Sequence, residues 1–205
     1  MDNQRVRDFM INKLPPGFKF NPDDIELIQY YLKPKIAGDP ILVPRRIHDI
    51  DIYKHSPYEL ETYKYRGEKY IYFFTPRNKK YRNGTRPDRA TGDFGYWKAT
   101  GKEESIRTNN GNIVIGSKRN LVYMEGNPNR SKERKGEELS AVKTNWMMQE
   151  YTINKEINDS AISKATSPLS EMHLDDWVLC KIYKNDRENY PQKRKHQEVE
   201  ELNTL

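Results

Sequence analysis

Four aromatic and β-branched segments follow one another with no long helical pattern between them: "KYIYFFT" (69–75), "NIVIGSKRNLVYM" (112–124), "KTNWMMQEYTI" (143–153) and "DWVLCKIY" (176–183). Such side chains pack well on a pleated, half-buried surface, so the segments read as strands, the second as one or two. Successive strands without intervening long helices point to antiparallel pairing, since a parallel pair needs a crossover. The expectation is an α+β chain: an antiparallel sheet with helices at one end. Asn83-Gly84 and Asn110-Gly111 supply turn signals between strands.

Helical patterns are confined to the first third. Pro15, Pro16 and Gly17 forbid a helix, and Phe18-Lys19-Phe20 alternates like a short strand. Asn21 then reads as an N-cap with Pro22 at the first helical position, and Asp23 and Asp24 suit the positive end of the dipole. Ile25, Ile28 and Leu32, widened by Leu27 and Tyr31, give one apolar face, and Pro34 is expected to close the helix near Lys33. A second short helix is expected at "SPYELE", capped by Ser56 with Pro57 at its first position. Residues 1–13 read as a flexible start, 14–184 as one domain, and 185–205 as a disordered tail of mixed charge. Two polar segments, 125–140 and 154–173, read as surface insertions.

Charge narrows the function. The formal net charge is +6. Residues 77–102 hold Arg77, Lys79, Lys80, Arg82, Arg86, Arg89, Lys98 and Lys102 against Asp88 and Asp93, a balance that equals the whole chain's charge. Concentrated positive charge marks a site for a polyanion better than diffuse charge does. The single cysteine, Cys180, permits no intrachain disulfide and fits a reducing compartment; with four scattered histidines it excludes a zinc finger. The charged start does not read as a signal peptide, and no run of 18 apolar residues is present to span a membrane.

Within the basic window, "GYWKATGKE" (95–103) invites comparison with a phosphate-binding loop. That motif needs four residues between its glycines and a hydroxyl after the lysine; here five separate Gly95 from Gly101, and Glu103 follows Lys102. As an extended strand the stretch places Trp97, Ala99 and Gly101 on one side and Lys98, Thr100 and Lys102 on the other. The first side can bury an indole while the second presents cationic and hydroxyl groups, and a strand of this kind fits a DNA major groove. The same pattern describes a plain edge strand whose lysines keep it unpaired.

With these residues in view, the chain resembles the NAC-domain transcription factors of plants over roughly residues 14–184. Five ordered blocks carry the likeness: "LPPGFKFNPDDIELIQYYLKPKIAG", "DIYKHSPYELE", "YFFTPRNKKYRNGTRPDRATGDFGYWKATGK", "IGSKRNLVYMEG" followed by "KTNWMMQEYTI", and "DWVLCKIYK". The resemblance implies a twisted antiparallel sheet flanked by a few short helices, with no cofactor, no zinc and no enzymatic activity. It implies a nuclear protein that binds double-stranded DNA with a CGT/ACG-type core. The inserted strand is Trp97, Lys98, Ala99, Thr100 and Gly101, flanked by Tyr96 and Lys102. Lys80, Arg86, Arg89, Lys118 and Lys143 are implied as phosphate contacts, with Arg86 or Arg89 as alternative base contacts. It also implies a homodimer or a heterodimer with other NAC proteins. The dimer is joined around Leu14, Pro15, Gly17, Phe18, Lys19 and Phe20, with Lys19 bridging to Glu26 of the other chain.

Several positions depart from the family pattern. Lys19 stands for an arginine and loses its planar fork. Ile25 replaces a glutamate. One extra residue separates Arg89 from Gly95, and the insert at 125–140 is long. "GKEE" replaces "GTDK", so Glu103 and Glu104 are expected to weaken or redirect phosphate binding. Other features have plainer readings beside functional ones. Tyr96, Trp97, Trp146 and Trp177 suit core packing or base stacking. Cys180 suits a buried inert thiol or a redox switch. Asp175-Asp176 and Glu59/Glu61 lack a nearby nucleophile or histidine and read as solvated or capping residues. "QKRKH" (192–196) and Lys118-Arg119 suit a nuclear-import tract or a solvated surface. Only residues 185–205 follow the last strand, where the family carries a long activation region. That contrast raises an alternative: an accessory regulator that heterodimerises with longer NAC proteins.

Overall fold

Six strands in the order β1-β2-β6-β5-β4-β3 make the sheet in the computed structural model, which describes residues 18–41, 45–126, 141–154 and 173–186. The strands are β1 (Ile47–Asp49), β2 (Ile71–Asn78), β3 (Gly95–Arg107), β4 (Val114–Glu125), β5 (Val142–Ile153) and β6 (His173–Lys184). The α+β class is as expected. The pairings β2–β6, β6–β5, β5–β4 and β4–β3 are antiparallel, whereas the short edge strand β1 runs parallel to β2, so the sheet is mixed. The segment 50–70, with its helical turns, supplies the crossover that this parallel pair requires.

Both faces of the sheet are covered, so the helices are not gathered at one end. Helix α1 consists of the consecutive segments Asp24–Glu26, Leu27–Leu32 and Lys33–Ala37. Its Leu27, Ile28, Tyr31 and Leu32 pack on Tyr72, Phe74, Ile106, Tyr151 and Leu179. On the other face Ile52 and Leu60 cover Phe73, Trp97, Leu121, Tyr123, Trp146, Met148 and Cys180. Strand alternation sends neighbouring residues into opposite layers: Tyr72 and Phe74 face α1, and Phe73 faces away.

The start of α1 lies two residues beyond the expected cap. Asp23, not Asn21, accepts the Glu26 amide at 2.8 Å, and the Glu26 carboxylate accepts the Asp23 amide at 2.8 Å. This reciprocal box satisfies two orphan amides, whereas Asp24, three residues beyond Asn21, is engaged by Lys118 and the Tyr151 hydroxyl. Pro22 therefore precedes the helix. Pro34 does not end it either: the Lys33 amide bonds the Ile28 carbonyl five residues back, in a π-helical turn that runs into the proline. The wider turn accommodates a ring that would strain a regular ladder. Gly38, at φ 76°, ends the helix in the left-handed region.

Helix α2 (Pro57–Leu60) follows its sequence signature, with Ser56 and Glu59 forming a capping box and Pro57 at the first position. Ser56→Ala is expected to cost about 1 kcal/mol, read as a shift in the urea midpoint at constant slope. An unchanged midpoint would mean that this turn is held by Leu60 packing alone.

Asn110-Gly111 lies in the β3–β4 connection, where Gly111 takes φ 74° and the Thr108 amide bonds the Ile113 carbonyl at 2.9 Å. Asn83-Gly84 instead turns the long β2–β3 loop back on itself, with the Gly84 amide on the Tyr81 carbonyl at 2.9 Å. Phe18–Phe20 form no strand within this chain. The expected flexible start, most of both insertions and nearly all of the tail lie outside the described residues, as do Leu14, Pro15 and Gly17.

Candidate nucleic-acid interface

Strand β3 is outermost in the sheet, and the long loop before it covers only its beginning. The loop is tied down by the Lys80 amide on the Arg86 carbonyl (2.8 Å) and the Asp88 amide on the Asn78 carbonyl (2.8 Å). Ala90 bridges Tyr96, and the Trp97 amide donates to the Arg89 carbonyl at 2.9 Å. Among the described residues that is the last bond along this edge. Main-chain groups of alternate residues point outward from an edge strand, so Ala99 is the next residue to present its amide and carbonyl. Its side chain is small and exposed, which lets another surface approach the backbone.

Beyond Thr100 the expected alternation breaks. Thr100 pairs with Asn120 and Glu104 with Lys118, so Gly101, Lys102 and Glu103 oppose Arg119 alone. Gly101 takes φ 71°, a conformation a side chain at this position would resist, and the bulge leaves Lys102 exposed. Lys98 is exposed as well, while Trp97 is 2% exposed and stacks edge-on to Tyr123 with centroids 5.2 Å apart. Trp97 thus belongs to the core and offers no surface to a ligand in this conformation. Trp146 is core as well, and Trp177 is half-buried beneath Lys35. Cys180 is fully buried; burial pushes its thiol well up, so the inert reading holds.

The loop and strand enclose a cleft of about 780 Å³ lined by Arg77, Lys80, Arg86, Arg89, Lys98 and Arg119 against Asp88 and Glu103. Lys80, Arg86, Tyr96, Lys98 and Ala99, expected at one site, are brought together here. Glu103 and Glu104 do not stand free. Glu103 accepts from the Ser117 hydroxyl and the Arg119 guanidinium, and these bonds hold its carboxyl below the usual range. Glu104 pairs with Lys118 at 3.2 Å and accepts from Asn120 at 2.9 Å.

Three expected contacts are held by carboxylates or lie on another strand. The Arg89 guanidinium turns inward: Nη2 lies 2.6 Å from Glu150 Oε1 and Nε 3.3 Å from Oε2. Arg77 Nη1 reaches the same carboxylate at 2.9 Å, and the Tyr53 hydroxyl donates to it. Glu150 is buried; burial alone would raise its carboxyl, but the two guanidiniums outweigh it and hold the group below its ordinary value. Lys118 is on the face covered by α1, bonded to Asp24 at 2.8 Å. Lys143 is exposed on β5 opposite Met124, away from the open edge. At the other expected surface Phe18 is 69% exposed and Lys19 is exposed, while Phe20 is buried against Tyr31 and Tyr72. The Glu26 carboxylate is engaged in its own helix cap.

Glu150 and Tyr53 were not singled out from sequence; Arg77 was named only as one charge of the basic window, and Arg119 only in a tract read as nuclear-import signal or solvated surface. One signal was present: period-2 phase puts Glu150 on the same side as Trp146 and Met148, an inward carboxylate that requires a buried cation.

The family model described as "No apical meristem (NAM) protein" matches residues 15–153. The chain is 42% identical over 190 residues to NAC transcription factor 47 of Arabidopsis thaliana, covering 84% of this chain and 50% of that protein. It is 42% identical over 176 residues to NAC domain-containing protein 2 of Solanum lycopersicum, covering 84% and 56%. To NAC domain-containing protein 67 of Oryza sativa subsp. japonica it is 40% identical over 199 residues, covering 96% and 66%. The chain thus spans between half and two-thirds of the length of these relatives.

Proposed function

The chain belongs to the NAC (No apical meristem) family, and on that premise we propose that it is a nuclear plant transcription factor that binds duplex DNA sequence-specifically as a dimer. The observation that carries this reading is the open edge of β3 from Lys98 onward, set beside a cleft where Lys80, Arg86 and Lys98 add to three arginines that Glu150 and Glu103 already engage. Lys98, Thr100 and the Ala99 backbone enter the major groove, where donors and acceptors distinguish all four base pairs. Lys80, Arg86 and Lys102 lie along the phosphates, releasing counterions and making binding salt-sensitive. The dimer forms through residues 14–20, with Lys19 reaching the free oxygen of Glu26 in the second chain.

The test is binding to a fluorescent duplex with an ACG-type core and to a scrambled duplex, across a salt series. The native chain is expected to prefer the core site and to weaken steeply with salt. Lys98→Ala is expected to lose about 1–3 kcal/mol of discrimination while keeping most non-specific affinity. Equal binding of the native chain to both duplexes would sink the strand-in-groove reading and move the protein to the accessory, partner-blocking role.

A further inference from the structure

We infer that Glu150, assisted by Tyr53, is a positioning residue for the DNA-reading edge, a buried carboxylate that determines where along β3 the open edge begins. The inference rests on the duplex-DNA reading above. Glu150 cannot touch DNA itself, being 1% exposed beneath the basic cleft. Its two oxygens are shared by Arg77, Arg89 and the Tyr53 hydroxyl.

Arg89 is the strut of this arrangement. Its guanidinium is held inside by Glu150, and its main-chain carbonyl accepts the Trp97 amide at 2.9 Å on the outer edge of β3. One residue holds both the buried charge and the edge strand. Ala90, next in the chain, bridges Tyr96. Arg77 grips the same carboxylate from the far end of the loop, at the end of β2. Both ends of the basic loop are therefore fastened to a single charge, and between them lie the exposed Arg86 and the half-buried Lys80.

Removing the negative charge leaves two guanidiniums facing one another in a poorly solvated site, where like charges repel strongly. They would turn outward, and the loop would leave β3. The edge would then lose its boundary at Trp97, and Lys80 and Arg86 would lose their fixed distance from Lys98. Non-specific attraction survives this change because the cations remain. Register against base edges does not, since phosphate contacts position a protein and base contacts specify it.

The experiment uses the full chain with Glu150→Gln and Tyr53→Phe. Amide hydrogen exchange of the free protein is compared at Lys80, Asp88 and Trp97, alongside affinity for the core and scrambled duplexes over a salt series. Glu150→Gln is expected to raise exchange at those three amides by about tenfold relative to β5 and β6. Its preference for the core duplex should fall about tenfold. The slope of log affinity against log salt should stay within one phosphate contact, about 0.9, of the native value. Tyr53→Phe should move the same readouts less, and it decides the matter if Glu150→Gln does not fold. Native exchange and native preference in the variant that folds would overturn the inference. So would a salt slope reduced by about 0.9 in Arg89→Gln together with native binding by Glu150→Gln, because Arg89 would then be a phosphate contact. Should the native chain itself fail to distinguish the duplexes, the DNA reading falls, and exchange alone judges the clamp: loosening confined to 79–97 supports it, and no loosening overturns it.

Discussion

Glu150→Ala is expected to destabilise the fold by about 3–5 kcal/mol, because it strands Arg77 and Arg89 in a buried site with no counter-charge. The two guanidiniums lie 2.9 and 2.6 Å from the carboxylate, and their side chains are only 15% and 12% exposed. Truncation removes the acceptor, leaves the donors desolvated, and opens a void beneath the loop. Urea denaturation of the two proteins at pH 7 measures the loss. A difference under about 1 kcal/mol would place the cluster among exposed ion pairs of little worth.

The same cluster has a pH signature. In the folded chain the Glu150 carboxyl is held below its ordinary value by Arg89 and Arg77 against the opposing effect of burial. A group with a depressed folded pKa contributes stability that is fully present above its unfolded value, about 4.3, and is lost as pH falls through the folded value. Native stability should therefore fall more steeply below about pH 4.3 than that of Glu150→Gln, which has no proton to take up there. Parallel stability curves for the two proteins in that window would contradict the assignment.

Trp97→Ala is the second large effect, with an expected loss of about 3–5 kcal/mol. The indole is 2% exposed, packs edge-on to Tyr123, and shares a cluster with Leu121, Trp146 and Met148. It anchors the first residues of the edge strand to the rest of the sheet. Binding to core and scrambled duplexes should then fall together, in proportion to the unfolded fraction. A stability change within about 0.5 kcal/mol, with a selective loss of core-site binding, would show instead that the indole turns out to meet a partner.

Much of this protein was legible before its folding was seen. Aromatic and β-branched runs located β2, β4, β5 and β6, since the preference of such side chains for a pleated surface is a local property. The Ser56–Pro57–Glu59 cap and the Asn110-Gly111 turn were legible for the same reason: their hydrogen bonds close within a few residues. The net charge of 77–102 located the basic cleft. The helix ends were misplaced by competing short-range signals. Asn21-Pro22 looks like a cap and first position, but Asp23 finds its reciprocal partner in Glu26, and a π-helical turn absorbs Pro34.

Residue type and spacing along the chain are enough for the strand-rich α+β class, the family blocks and the position of the positive charge. Which of those charges face outward is a product of long-range packing. Arg86 and Arg89 are three residues apart and chemically alike, yet one is exposed and the other is drawn into Glu150, 61 residues away. Lys118 and Arg119 are adjacent, yet alternation sends one to Asp24 beneath α1 and the other to the cleft. The parallel placement of β1 likewise depends on the crossover through 50–70. A cation's role is set by the nearest carboxylate and by its distance from water, and both are fixed by long-range packing rather than by neighbours in sequence.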